Sequence, residues 1–276
     1  MKQKNLPLKI TGIAFVYAFA LILLVPMFFI IMTAFKPEAQ VIADPFGLPS
    51  PARFANFTDA LIQGNMLRDA LNSVIVTVST LLLALVNSIW VTFCIKKLTA
   101  HLVGTILYTI IIITMFIPSG AGMVTMLLMY ERLHLYNSLL GVILGMGFGG
   151  TAFNLFLMLG FMRAIPKELE EASFIDGCGP YRSLIYITVP LMKPILVSIG
   201  IFTLVSSWNA LMPSLLLLRS PNLWTIPIGL MQFRTPYTVQ YSLIFAGILM
   251  TGVPLVVIYL FFQKYFVEAL AGSVKG

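Results

Sequence analysis

AIPKELEEASFIDGCGPYRSLIYITVPLMKP, residues 164–194, is a polar island in a chain that otherwise reads like lipid. Lys167, Glu168, Glu170, Glu171, Asp176, Arg182 and Lys193 fall within it, and long apolar segments flank it on both sides. Such a segment has to stay in water. Pro166 has a fixed φ suited to the first helical position. Lys167-Glu168-Leu169-Glu170-Glu171 then sets carboxylates in the first turns, where the helix dipole favours them. Glu168, Glu171, Ala172 and Ile175 recur at i, i+3, i+4 and i+7, so they share one helix face. Gly177 and Gly179 stop this helix. Pro180 starts a second one, Tyr181 to Val189, which ends before Pro190. Ala172 and Ser173, small and beside Gly177, allow another surface to approach closely between flanking carboxylates. The pattern fits a docking knob, and it fits equally a solvated hairpin between spans.

The chain has 276 residues, 59% hydrophobic and only 10% charged, against about 25% charged in a soluble domain. A soluble core of this length cannot hide that much apolar side chain, so the bilayer is the solvent. A helix needs about 20 apolar residues to cross the hydrocarbon. Six segments qualify: 10–35, 71–95, 102–130, 139–161, 195–218 and 242–266. The third is interrupted at Pro118-Ser119-Gly120-Ala121-Gly122, which leaves its inner part barely long enough. Lys2, Lys4 and Lys9 ahead of the first run imitate a secretory signal. The run continues to Phe35 and into Lys36-Pro37-Glu38 without a small-x-small cleavage site, so it reads as a retained membrane helix. Between the first two spans, Pro37, Pro45, Gly47, Pro49 and Pro51 make turns, and a short surface helix is expected over 57–67. The expected organisation is a cytoplasmic amino terminus (1–9), one transmembrane domain (10–266) and a cytoplasmic tail (267–276).

Lys and Arg collect on the cytoplasmic side of membrane proteins. With the amino terminus inside, Lys2, Lys4, Lys9, Lys96, Lys97, Arg163, Lys167, Arg182, Lys193, Lys264 and Lys275 are cytoplasmic. Lys36, Arg53, Arg68, Arg132, Arg219 and Arg234 are outside, and the acids divide evenly. The net charge of +7 therefore expresses topology, with both termini and the island in the cytoplasm. Cys94 and Cys178 are isolated, match no metal or redox spacing, and read as free thiols. His101 and His134 lie at span ends and read as solvated.

The apolar centres of the spans carry no Asp, Glu, Lys or Arg, whereas coupled carriers commonly place ionisable groups there. The sequence also has no G-x-x-x-x-G-K-[ST] phosphate loop, so it is expected neither to bind nor to hydrolyse ATP. If the chain pumps, its energy comes from another subunit.

Glu171-Ala172-Ser173, then Gly177, then Ile187-x-Val189-Pro190 resembles the EAA loop of ABC importer permeases. The spacing of that pattern (E-A-A, three residues, G, nine residues, I-x-L-P) is met throughout, with Ser173 for the second Ala and Val189 for Leu. Asp176 matches the frequent D-G pair. The tail 266–276, Phe35-Lys36-Pro37 and Ser207-Trp208-Asn209 are similar to the maltose-type, carbohydrate-uptake branch. The resemblance implies an all-α, six-span type I importer fold with a cytoplasmic coupling helix between the fourth and fifth spans. It implies that Glu171, Ala172, Ser173, Asp176 and Gly177 couple the chain to an ATPase, Glu171 by contact and Gly177 by permitting the turn. The implied partners are a second, related permease, two ATPase copies that bind the ATP and Mg, and an extracytoplasmic sugar-binding protein. The implied location is the plasma membrane of a bacterial or archaeal cell. No cofactor, metal or nucleic acid is expected on this chain.

Broken helices at mid-membrane expose free backbone groups and mark transport sites. Pro118 and Gly122 bound one such break, and Ser206, Ser207, Trp208 and Asn209 sit a turn before Pro213. An indole stacks on a sugar face and an amide pairs with its hydroxyls. The same residue types also glue helices together. The glycines of the fourth span (141, 145, 147, 149 and 150) read as allowing close helix packing. Two other functions fit the chain: a permease for a polyol or glycerol phosphate, and a stand-alone secondary carrier. A phosphate ester calls for Arg or Lys lining the path, and the apolar centres of the spans have none.

Overall fold

The computed structural model of the chain describes residues 6–99, 101–118, 120–162 and 165–272; for residues 6–10, 167 and 264–272 it describes the backbone only. Among the described residues the secondary structure is helical, apart from one isolated bridge between Arg234 and Val239. The helices pack as two units, Met1–Leu67 with Gly229–Pro254, and Arg68–Ile228 with Leu255–Gly276.

The first unit begins with α1 (Leu6–Ala34), whose side chains from Thr11 to Phe28 are all exposed. An apolar rod with an outward apolar face is what a bilayer accommodates. α1 gives way to two short helices, α2 (Glu38–Ala43) and α3 (Ala55–Gln63), before α4 (Met66–Leu98). The surface helix expected over 57–67 therefore starts earlier and ends at Gln63. Asn65 takes a positive φ of 46° and separates it from α4. Lys36 is 0% exposed, and its ammonium donates to the carbonyls of Asp44 (3.1 Å) and Pro45 (2.7 Å). Asn56 donates to the carbonyls of Ala34 and Lys36, both at 2.8 Å, so the end of α1 is sewn to α3. Glu38 accepts from the backbone N–H of Tyr241 (3.0 Å) and of Ser242 (2.9 Å), capping a later helix from a distance. Ala34, Ala60, Met66, Phe233, Leu243 and Ala246 form the core of this unit.

In the second unit, the rest of α4 is followed by α5 (Leu102–Ile113) and a 3₁₀ turn over Thr114–Phe116. Ile117, before Pro118, is extended (φ −79°, ψ 121°) because the proline ring disfavours helix in the preceding residue. The chain resumes as α6 (Met123–Arg132). The expected third span is thus two pieces, and Leu102–Phe116 is a shorter apolar helix. Ser119 lies outside the described residues. Next come α7 (Leu139–Gly149) and α8 (Thr151–Met162), which together make one apolar stretch. A Cβ at Gly141 would lie 2.4 Å from the Leu135 carbonyl oxygen, and one at Gly147 would lie 2.6 Å from the Leu83 side chain. Close packing is what these glycines provide. Polar ties join α4 to α8 as well: Asn154 donates to Ser88 Oγ at 2.9 Å and Asn87 to Thr151 Oγ1 at 2.6 Å.

The island contributes α9 (Lys167–Ile175) and α10 (Pro180–Ser183), then a π turn over Leu184–Thr188 and α11 (Val189–Leu191). The second helix therefore does not end before Pro190, as its sequence suggested. The Val189 N–H donates to Leu184 O, five residues back, and this widened turn absorbs the proline, which lacks an N–H. The break falls later, as a 75° bend between α11 and α12 (Lys193–Trp208). α12 is shorter than the expected 195–218 span. The helix stops at Asn209-Ala210 and resumes as α13 (Leu211–Leu217). Pro213 explains this: a continuous helix would need its missing N–H to reach Asn209 O. Instead, Leu211 N donates to that oxygen at 2.8 Å.

α14 (Ile226–Gly229) and a 3₁₀ turn (Leu230–Phe233) lead to the last helix, α15 (Tyr241–Gly272). In the second unit, Arg68, Asn72 and Ser73 of α4 hold the 222–226 strap, with Asn72 donating to Asn222 O (3.0 Å) and Trp224 O (2.8 Å). Among the described residues, four helices are long and apolar enough to cross a membrane, or five if the bent pair 180–191 and 193–208 is one span. Lys2, Lys4, Arg163, Lys275 and the end of the tail, 273–276, lie outside the described residues. His101 and His134 are exposed, and Cys94 and Cys178 are free thiols.

Candidate functional site

The island folds as a helical hairpin whose two limbs are joined by a glycine turn and by the Ser173–Ser183 hydroxyl contact. Pro166 is the N-cap of α9 (φ −57°, ψ 132°), one position earlier than its sequence suggested. Glu168 and Glu170 occupy the first turn, beside the unpaired N–H groups and the positive end of the dipole. At the other end Gly177 adopts φ +77°. Its N–H donates to Phe174 O (3.1 Å) while the Cys178 N–H donates to Ser173 O (2.9 Å). These two bonds constitute a Schellman termination, whose left-handed residue is preferentially glycine. Gly179 then caps α10, with Pro180 in its first turn.

Glu168, Glu171, Ala172 and Ile175 all face solvent, as their spacing predicts. Ile175 is 86% exposed, and exposed Phe174 and Leu169 accompany it. Apolar side chains rimmed by carboxylates on an exposed helix are the composition of a protein contact. Asp176 and Gly177 are exposed beside them. Ser173 departs from its expected place. It is buried, and its hydroxyl bonds Glu170 O (2.6 Å) and Ser183 Oγ (2.8 Å). Its smallness serves the approach of α10, not that of an outside surface.

The inner side of the hairpin rests on the end of α4. Glu170 forms an ion pair with Lys96. The Tyr181 ring lies 6.0 Å from the Trp90 ring and 5.8 Å from the Phe93 ring. The Lys97 ammonium sits 4.5 Å from the Phe93 centroid and 6.0 Å from that of Tyr181. A cavity of about 350 Å³ opens beside the ion pair, lined by Lys96, Tyr108, Met162, Leu169, Glu170 and Thr188. In the sequence Lys96 and Lys97 registered only as topology signals. Nothing in it pairs Lys96 with a residue 74 positions away.

The candidate path residues fall on separate elements. Ser206, Ser207 and Trp208 lie in the last turn of α12 and Asn209 is its C-cap; Ser206 donates to Thr203 O (3.1 Å) and Asn209 to Val205 O (2.9 Å). Ser207 is buried and donates to Thr203 O at 2.7 Å, and Trp208 is half-buried. Pro118 and Gly122 are exposed on the turn before α6, with Gly122 as its N-cap. The α12 end is thus a helix break with exposed amide and hydroxyl groups. Its donors are shared with the helix's own carbonyls.

Apolar helices of spanning length, joined to a polar hairpin with an exposed face, define a multi-pass membrane protein. Residues 100–271 match the family described as "Binding-protein-dependent transport system inner membrane component", and the chain belongs to that family. It is 32% identical over 263 residues to the probable ABC transporter permease protein YurM of Bacillus subtilis, covering 95% of this chain and 87% of that one. It is 30% identical to the arabinooligosaccharides transport system permease protein AraQ of Halalkalibacterium halodurans, over 100% of both chains. Its fold is similar to that of a chain in the crystal structure of a bacterial ABC transporter involved in the import of the acidic polysaccharide alginate (TM-score 0.82, 23% identity, 96% of this chain and 99% of that one). The protein is accordingly a multi-pass inner-membrane transport component that works with a binding protein.

Proposed function

We propose that this chain is the permease subunit of an ATP-driven importer that brings a sugar or oligosaccharide into the cytoplasm. One observation carries the coupling part of this reading. The exposed face of α9 turns Glu171 and Ala172, the first two positions of the EAA pattern, outward with Ile175, ahead of the Schellman turn at Gly177, while Ser173 packs inward against Ser183. In this reading the face seats on one of two cytoplasmic ATPase copies, which bind the ATP and Mg. A second, related permease completes the path, and a loaded binding protein delivers the sugar from outside. The arabinooligosaccharide system of the 30%-identical relative supports a carbohydrate cargo.

Six passes accommodate this function, with both termini and the hairpin cytoplasmic. They are α1, α4, α5 with its 3₁₀ extension, α7 with α8, α12 and α15. The fifteen residues 102–116 reach only about 22 Å as a helix, so the 117–122 turn and α6 complete that pass. The broken end of α12 is the favoured place for sugar contact, through Ser206, Trp208 and Asn209, with the Pro118–Gly122 turn as a second element of the path.

The test is uptake into proteoliposomes of labelled arabino-, malto- and chito-oligosaccharides. With the second permease, the ATPase, the binding protein and internal ATP, one of these sugars is expected to accumulate, and uptake should stop when ATP or the binding protein is omitted. Concentrative uptake by this chain alone would overturn the reading in favour of a secondary carrier.

A further inference from the structure

The hairpin has two sides, and docking uses one. Its other side is fastened to the last three turns of α4 by two separate handles, one on each limb. On the first limb, Glu170 pairs with Lys96. On the second, Tyr181 lies against Trp90 and Phe93, with the Lys97 ammonium close to both Phe93 and Tyr181. The neighbours Lys96 and Lys97 thus serve opposite limbs. The covalent route out of the hairpin is built differently. It passes through a π turn and a 75° bend at Met192, with Pro190 before and Pro194 after. Prolines and a π turn interrupt the ladder of hydrogen bonds that makes a helix stiff. α4, by contrast, is a single helix of 33 residues, about 50 Å long. It is also tied to α8 through Ser88–Asn154 and Asn87–Thr151.

We infer that the end of α4 is a second transmission arm: displacement of the hairpin is carried into α4 through Lys96–Glu170 and the Tyr181 cluster, in parallel with the chain into α12. Lys96 and Glu170 are positioning residues in this scheme and touch neither sugar nor nucleotide. The inference rests on the docking reading above. Both members of the ion pair are about one-third exposed, so the pair adds little to folding. Its loss is therefore read in coupling and not in assembly.

The experiment measures ATP hydrolysed per sugar imported by the complete transporter in proteoliposomes, after co-purification has shown that the ATPase is bound. Lys96→Glu sets two carboxylates against each other and is expected to raise that ratio about fivefold or more. Glu170→Gln, which removes only the charge, is expected to raise it less. The double exchange Lys96→Glu with Glu170→Lys restores the pair in reverse and is expected to return the ratio to near the unmodified value. An unchanged ratio in Lys96→Glu, or a double exchange as uncoupled as the single one in an assembled complex, would overturn the inference. Failure of the docking reading shows elsewhere, as an ATPase that never depended on the α9 face for binding.

Discussion

Gly177→Val is expected to abolish most uptake while leaving the chain inserted in the membrane. The φ of +77° at this position belongs to the left-handed region, which costs a non-glycine residue about 1–3 kcal/mol and a β-branched one the most. A Cβ built there has no atom within 4 Å apart from its own chain neighbours, so at Cβ the substitution meets no steric obstacle. Its whole effect is backbone strain at the Schellman turn. To relieve it, the chain must give up the Gly177–Phe174 or Cys178–Ser173 bond. Either loss moves α10 relative to α9 and disturbs the Ser173–Ser183 contact between the limbs. Because each 1.4 kcal/mol is a factor of about ten, the correctly shaped hairpin is expected to fall about tenfold or more in population. Gly177→Asn separates strain from size. Asparagine tolerates the left-handed region, so this variant should keep most uptake although it is larger than alanine. Equal uptake in the valine and unmodified proteins would show that the hairpin need not hold this turn.

The second large effect is expected from Glu171→Lys. Glu171 is exposed and has no role in the hairpin's own packing, so the reversal should change folding by less than about 0.5 kcal/mol. What it changes is the sign of charge in the middle of the contact face, between Glu168 and Ile175. Misplaced charges at protein contacts cost several kcal/mol. ATPase co-purification is expected to fall about tenfold or more, and uptake to fall with it. Normal yield of the ATPase with normal uptake would contradict the assignment of this face.

Some of this was legible in the sequence because proline and glycine act locally. The end of α9 follows from Gly177, and the extended Ile117 follows from Pro118. The exposed stripe of α9 follows from helical spacing. Where a second local effect compensates the first, the signal misleads. Pro190 ought to end its helix, but one extra residue in the ladder lets the helix run on to Leu191. At Pro213 the error runs the other way, since apolar composition is continuous through 195–218 and hides a break that the missing N–H enforces. Charge counting is blind to burial. Lys36 entered the topology as an external charge, yet it is enclosed and spends its donors on two carbonyls of its own loop. Ser173 likewise matched a motif position by size, while its hydroxyl holds the hairpin together from inside. The grip of the hairpin on α4 joins residues far apart in sequence, and no local pattern announces it.

The central claim is that the exposed face of α9 is where a separate ATPase meets this chain. Cross-linking tests it most directly. With Cys94→Ser and Cys178→Ser removing the native thiols, Ala172→Cys places one thiol on that face, and Leu133→Cys places one on the exposed turn expected outside the membrane. In membranes holding the complete transporter, a short bismaleimide should join the Ala172→Cys permease to the ATPase and leave the Leu133→Cys permease unjoined. An Ala172→Cys chain that reacts freely with a monofunctional maleimide and supports uptake, yet forms no adduct with the ATPase, would contradict the account.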